Sequence, residues 1–217
     1  MKDDIKIIGS ILVIILIVFG IIIAISKPPQ QSVSTTLSTE QLAQTLVKSD
    51  SFTSGPQDAK ATLVEFGDMQ CPACASFHPT IKQIREKYKD KLRYVFRHYP
   101  LPQHPQAIPG ARAVVAAQAQ GAFDTMQDMI FSNQSEWTTQ KDPFVSFKKY
   151  AQDLKLDLVK FEKDYNDPTV ASKINQDTAD GNTVNVNSTP SFFFNGKKYE
   201  GDYSMASFQK EIDAMLK

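Results

Sequence analysis

Cysteine is the scarcest reactive residue in this chain: among 217 residues there are two, Cys71 and Cys74. A secreted fold stapled by structural disulfides carries more cysteines and spreads them out. A domain of this length also has a core large enough to stand without staples. Net charge is absent as well, with 24 basic residues against 24 acidic ones. A nucleic-acid surface needs a basic excess or stripe, so no nucleic-acid partner is expected. Histidine is limited to His78, His98 and His104. A structural zinc site takes four ligands, usually with a second pair at short spacing. These three do not supply that pair, and no metal site or cofactor is assigned. Internal repeats are also missing.

What the chain does have begins at its N-terminus. The 20 residues from Ile7 to Ser26 carry no charge and are mostly Ile, Leu and Val. Such a run, as a helix, spans about 30 Å, the thickness of a bilayer core. Lys2 and Lys6 precede it, a slight bias that places residues 1–6 in the cytoplasm. The reading is a single-pass membrane anchor at 7–26, with the rest of the chain on the periplasmic or outer face. A cleaved signal peptide ending near Ala24-Ile25-Ser26 is the alternative. The run is longer than the usual signal core of about 7–15 residues, and both readings export the remainder of the chain.

Residues 27–44 read as a linker, polar and proline-containing through 27–38 (KPPQQSVSTTLS). Within it, Ser38 and Gln41 can form a capping box for a short helix from about Thr39. The folded domain is placed at 45–217. Ala61–Phe66 (ATLVEF) is a short apolar run of β formers and predicts a strand. Phe77, Ile81, Ile84 and Tyr88 carry helical spacing over 71–89, and Leu92–His98 predicts a second strand. This is a βαβ unit with the cysteines where the first strand feeds the helix, the end of a sheet where function gathers. Helical spacing then runs through 105–183, with Asp142-Pro143 and Asp167-Pro168 as helix starts. Asn195-Gly196, between Pro190–Phe194 and Lys197–Tyr199, is a type I′ hairpin signal. An amphipathic helix, Met205–Leu216, ends the chain.

The motif is Cys71-Pro72-Ala73-Cys74. A cysteine at a helix N-terminus faces unpaired N–H groups and the positive end of the macrodipole, which favour its thiolate. Pro72 fits the first turn without losing a needed hydrogen bond. Cys71 is therefore the exposed nucleophile or attacked sulfur, and Cys74, one turn inside, the resolving thiol. The Cys71 pKa decides direction: a value near 3.5 would raise the reduction potential by about 100 mV, against a spread of about 150 mV between reducing and strongly oxidising C-x-x-C proteins. An inert structural disulfide, or a zinc site using His78, remains as the bland alternative. His98 and His104 are assigned no chemistry, Trp137 and Phe192–Phe194 read as core, and the sequons at Asn133 and Asn187 read as chance.

The segments TLVEFGDMQCPACASFHPTI, RHYPLPQHPQAIPGARAVVAAQAQ and STPSFFFNGKKYEG resemble the DsbA family of thioredoxin-fold thiol-disulfide oxidoreductases. The resemblance covers roughly residues 45–217. It implies an α/β thioredoxin-like fold with an inserted helical domain at about 103–172, preceded here by one N-terminal transmembrane helix. It implies that the redox-active disulfide is Cys71–Cys74, tuned by Pro72 and Ala73. It maps the family's buried acid onto Glu65 and its cis-proline onto Pro190, after Thr189. A poorly solvated Glu65 would have a raised pKa and could relay the proton of Cys74. Thr189 backbone groups could pair with an extended substrate. The implied activity is disulfide oxidation of reduced, exported polypeptides, with reoxidation by a membrane quinone-linked partner of the DsbB or vitamin K epoxide reductase type. Ala73 departs from the strongest oxidants, which carry His there, and Ser188 stands where Gly often does. A reductase or isomerase of the same chemistry, or a non-enzymatic metal- or peptide-binding module, are the rival readings.

Overall fold

The computed structural model describes residues 37–217. The anchor expected at 7–26 lies outside the described residues, as does the linker through residue 36. Among the described residues no helix is long and apolar enough to cross a membrane. The compact unit begins at Leu37, ahead of the boundary at 45 that the family resemblance implies. The reason is helix α1 (Thr39–Leu46). Its capping box is complete, with the Ser38 hydroxyl accepting from Gln41 N and the Gln41 side chain accepting from Ser38 N. Its Leu46 is buried, and Leu37 and Leu42 pack beside it.

Strand β1 (Phe52–Ser54) comes next, then β2 (Ala61–Gly67), α2 (Pro72–Lys87) and β3 (Leu92–His98). Six helices continue the chain: α3 (Ala107–Gln118), α4 (Phe123–Ser132), α5 (Gln134–Trp137), α6 (Phe144–Asp153), α7 (Leu158–Asn166) and α8 (Pro168–Thr183). The chain returns as β4 (Ser191–Phe194) and β5 (Lys197–Lys198), and ends in α9 (Met205–Met215). The sheet order is β1-β3-β2-β4-β5. β2 and β3 are parallel, joined by α2, and the other pairs are antiparallel.

Both faces of the sheet are covered, which explains why β2 to β4 read as nearly unbroken apolar runs. Alternation still sorts them. Leu63, Tyr94, Phe96, Phe192 and Phe194 join the larger core with Ile81, Ile84 and the two cysteines. Val64, Phe66, Val95 and Phe193 face the smaller core with Leu46, Val184 and Val186. The three consecutive phenylalanines of β4 thus serve two cores. The turn after them has φ of 44° at Asn195 and 85° at Gly196, the left-handed pair a type I′ turn needs.

β1 escapes the sequence patterns because three residues with one large apolar side chain show no period. It pairs with β3 from Phe52 opposite Phe96. In the helical segment, Trp137 is wholly buried, and its indole N–H donates to Ile130 O at 2.8 Å. The Asp167 carboxylate caps α8 by accepting from Thr169 N, with Pro168 in the first turn.

Candidate active site

β2 delivers the chain to the site. Its last residue is Gly67, where a Cβ would fall 2.6 Å from the Phe96 ring, so only glycine lets the strand end this close to β3. The turn 68–70 then leads into α2. Asp68, fully buried, holds this turn: one carboxylate oxygen accepts from Gln70 N at 2.7 Å, the other from Leu101 N at 2.9 Å and from the His104 ring at 2.6 Å. Its backbone oxygen accepts from Cys71 N at 3.1 Å. From the helical segment, the Gln134 amide donates to Met69 O and Cys71 O.

Cys71 is the N-cap residue of α2, and Pro72 is its first helical residue; Cys71 is buried, not the exposed sulfur expected at a helix start, because the Thr189 carbonyl lies against it. The Cys71 thiol is drawn down to about 5, first by the Cys74 side chain and, against the opposing effect of burial, also by Thr189 and the backbone N–H groups of Cys74 and Ala73. The Thr189 hydroxyl is buried with no hydrogen-bond partner. When protonated, Cys71 Sγ donates to Thr189 O at 3.3 Å. That carbonyl accepts one hydrogen bond from the protonated thiol and has a second lone pair besides. Cys74 moves the other way: burial pushes its thiol up, reinforced by its bond to Cys71 and by the charges of Glu65 and Cys71. The two thiols are free, and a single hydrogen-bonded pair holds one easily ionised sulfur above one that resists ionisation.

Beneath the pair lies Glu65, buried and raised to about 7 by desolvation, which the hydrogen bond from Tyr94 and the charge of Arg85 oppose. Tyr94 Oη donates to Glu65 Oε2 at 2.6 Å. On the other flank the Thr189–Pro190 peptide is cis, and the Tyr203 hydroxyl donates to Pro190 O at 3.1 Å. Cys71, Cys74, Glu65, Thr189 and Pro190 are thus brought together, with Pro72 and Ala73 in the turn between the sulfurs.

The histidines are elsewhere. His78 pairs with Asp128 at 2.6 Å, on the side of α2 that faces α4. His98 is wholly buried, and desolvation drops its pKa to about 3, so it is neutral. His104 binds Asp68 and so supports the cysteine turn, a role its sequence neighbourhood does not signal. Sequence patterns do not single out Asp68, Gln134, Tyr94 or Tyr203 either. An Asp two residues before the amide it binds is an Asx-turn signal, so Asp68 is the one of these that a closer reading could find. Among the described residues no group of three or more His, Cys, Asp and Glu side chains is placed to hold a metal.

Comparison with known proteins fits this geometry. The thioredoxin family pattern matches residues 48–214. The chain belongs to the thioredoxin family. Within that family its fold is that of the DsbA-like thiol-disulfide oxidoreductases. It superposes on the thiol-disulfide exchange protein alpha-DsbA2 of Wolbachia pipientis with a TM-score of 0.71 at 18% identity, covering 81% of this chain and 92% of that one. It superposes on oxidised BdbD of Bacillus subtilis with a TM-score of 0.68 at 20% identity, covering 77% and 93%. By sequence this thioredoxin-family chain is 35% identical over 165 residues to the Na(+)/H(+) antiporter NhaA 1 of Mycobacterium sp. (strain KMS), covering 74% of this chain and 26% of that protein. The chain therefore spans about a quarter of the length of the curated relatives it matches.

Proposed function

We propose that this chain is a thiol-disulfide oxidoreductase that works chiefly as a disulfide oxidase through Cys71 and Cys74. The observation that carries the reading is the asymmetry of the pair: Cys71 ionises at about 5 while Cys74 is held protonated beneath it. In the forward step a client thiolate attacks Cys71 Sγ, the Cys71–Cys74 bond breaks, and Cys74 leaves with a proton. A second client thiol then displaces Cys71, which leaves as a stable thiolate. Glu65, poised near neutrality, is the group placed to trade that proton.

The magnitude limits the oxidising power. At pH 7 a thiolate with a pKa of about 5 stabilises the reduced form by about 3 kcal/mol, which raises the potential by about 60 mV. That is under half of the roughly 150 mV between thioredoxin and DsbA. Ala73 accounts for the moderation, because it offers the thiolate neither charge nor a side-chain donor. A potential between those two extremes, roughly −230 to −170 mV, is expected from equilibration with glutathione. A value at or below that of thioredoxin would reject the oxidase reading in favour of a reductase.

The apolar run at 7–26 supports an anchored enzyme on the extracytoplasmic face. Its clients would then be reduced, newly exported polypeptides. A membrane quinone-linked protein of the DsbB or vitamin K epoxide reductase type would restore the disulfide.

A further inference from the structure

We propose that Tyr94 is a positioning residue for the proton transfer between Glu65 and Cys74: its hydroxyl occupies Glu65 Oε2 and so leaves Oε1, the oxygen turned toward the cysteines, to carry the proton. The inference rests on the exchange reading above and adds a residue to it.

The geometry is directional. β2 runs toward the cysteine turn, and Glu65 Oε1 lies beside Gly67, 3.3 Å from where a Cβ on that residue would stand. Oε1 is therefore at the cysteine end of the strand. Tyr94 is paired in register with Leu63, two residues behind Glu65, and it reaches forward to Oε2. Among the described residues the Tyr94 hydroxyl has no acceptor other than Glu65. A hydroxyl proton buried without an acceptor is costly, so Tyr94 donates, Oε2 accepts, and a neutral carboxyl carries its hydrogen on Oε1.

Tyr94 is itself pinned. The Arg85 guanidinium lies 4.6 Å from the Tyr94 ring centroid. Arg85 is fixed by a two-pronged bond to Asp124 at 2.6 and 2.8 Å and by Ser54 at 3.1 Å. The charged and titratable groups facing Glu65 are Tyr94 from β3, Cys74 and Arg85 from α2, and Tyr203 from the loop before α9. β4 presents Phe192 opposite it. Asp124 on α4 neutralises Arg85, which leaves Tyr94 as the hydrogen bond that orients the carboxyl.

Atoms and electrons balance in the step. In resolving a mixed disulfide, Cys74 gives its proton to Glu65 Oε1 and its sulfur bonds to Cys71. The Cys71–client bond breaks, and its electron pair leaves on the client thiolate. Disulfide opening runs the same transfer in reverse.

The test mixes the reduced full-length chain, in detergent micelles, with oxidised glutathione and separates two phases: attack by Cys71, then displacement by Cys74. The Cys74→Ala variant isolates the first. In Tyr94→Phe the second phase is expected to slow about fivefold at pH 7 and its acid limb to move to higher pH, because a bond favouring the carboxylate is gone. The first phase stays unchanged, and Tyr94→Phe has no further effect in a Glu65→Gln background. Superimposable pH profiles, or an equal effect in that background, would overturn the proposal while leaving the exchange reading intact. A wild type inert toward glutathione would overturn both. Should Tyr94→Phe not fold, carbon NMR of the wild type decides. Tyr94 Cζ and Glu65 Cδ are expected to titrate with one midpoint, and a Tyr94 Cζ indifferent to that titration refutes the coupling.

Discussion

At the scale of single side chains, two sulfurs one helical turn apart are driven in opposite directions. Cys71 is lowered first by the Cys74 side chain and then by Thr189 and N–H donors, while Cys74 is raised by burial, by its bond to Cys71 and by a neighbouring carboxylate. Reactivity with an alkylating agent should therefore follow one group with a midpoint near 5. At pH 6 Cys71 is already largely thiolate, where an ordinary thiol would be almost entirely protonated. Cys71→Ser should abolish turnover, and Cys74→Ala should leave a mixed disulfide trapped on Cys71. A midpoint near the ordinary thiol value would remove the electrostatic basis of the site.

The same scale separates residues that a sequence announces from those it hides. Cys71, Cys74, Pro72 and Ala73 are adjacent, so a spacing rule finds them. Glu65, Thr189 and Pro190 emerge only through a family resemblance, because nothing local marks a buried acid or a peptide isomer. Tyr94 and Gln134 emerge by neither route. Each reaches the site from an element distant in sequence, and each is an ordinary residue in its own segment.

At the scale of elements, one buried cation ties three of them together. Arg97, on β3, is wholly buried; its Nε donates to Asp177 Oδ1 at 2.8 Å, and its Nη2 meets Asp180, both on α8. Its Nη1 donates to Thr45 O and to Leu46 O at the end of α1, where helix carbonyls lack partners. Asp177 also accepts from His98 N at 3.0 Å. Removing one member of such a cluster strands the others, at a cost of about 3–5 kcal/mol. Arg97→Ala should lower unfolding stability by that amount in denaturant titrations. Hydrogen exchange in α1 should rise before that of β3, since α1 loses its clasp and keeps the apolar packing of Leu37, Leu42, Leu46 and Val47. Replacing Asp177 and Asp180 by Ala in the same chain should recover part of the loss. Full stability in the single variant would show the cluster to be incidental. The periodic helices and the central strands were legible because each repeats an apolar pattern over several turns or a whole strand. α1 was legible as a helix from its cap, yet not as part of the fold, because what holds it down is an arginine 51 residues further along the chain.

At the scale of the whole molecule, the redox state and the fold share one linkage. The disulfide closes a loop of only four residues, Cys71 to Cys74, so constraining the unfolded chain stabilises the oxidised form by about 2 kcal/mol. The thiolate stabilises the reduced form instead, because folding lowers the Cys71 pKa from 9.0 to about 5. The sign comes from proton counts: between those values the unfolded reduced chain binds a proton that the folded one has lost, so reduced-state stability rises with pH there. The gain is absent below about 5 and reaches about 3 kcal/mol at pH 7. His98, neutral in the fold down to about 3, makes both forms lose stability as pH falls below 6.5. That effect is common to the two forms and cancels in their difference. The difference between reduced and oxidised stability should then change sign between about pH 6 and 7, with the disulfide form the more stable in acid and the dithiol form the more stable in base. Paired unfolding curves of the two forms at about pH 5, 6, 7 and 8 measure it directly. An oxidised form that stays more stable throughout would mean that the thiolate gain is too small to drive oxidation of a client, since the excess stability of the folded dithiol is the same free energy that makes the folded disulfide an oxidant.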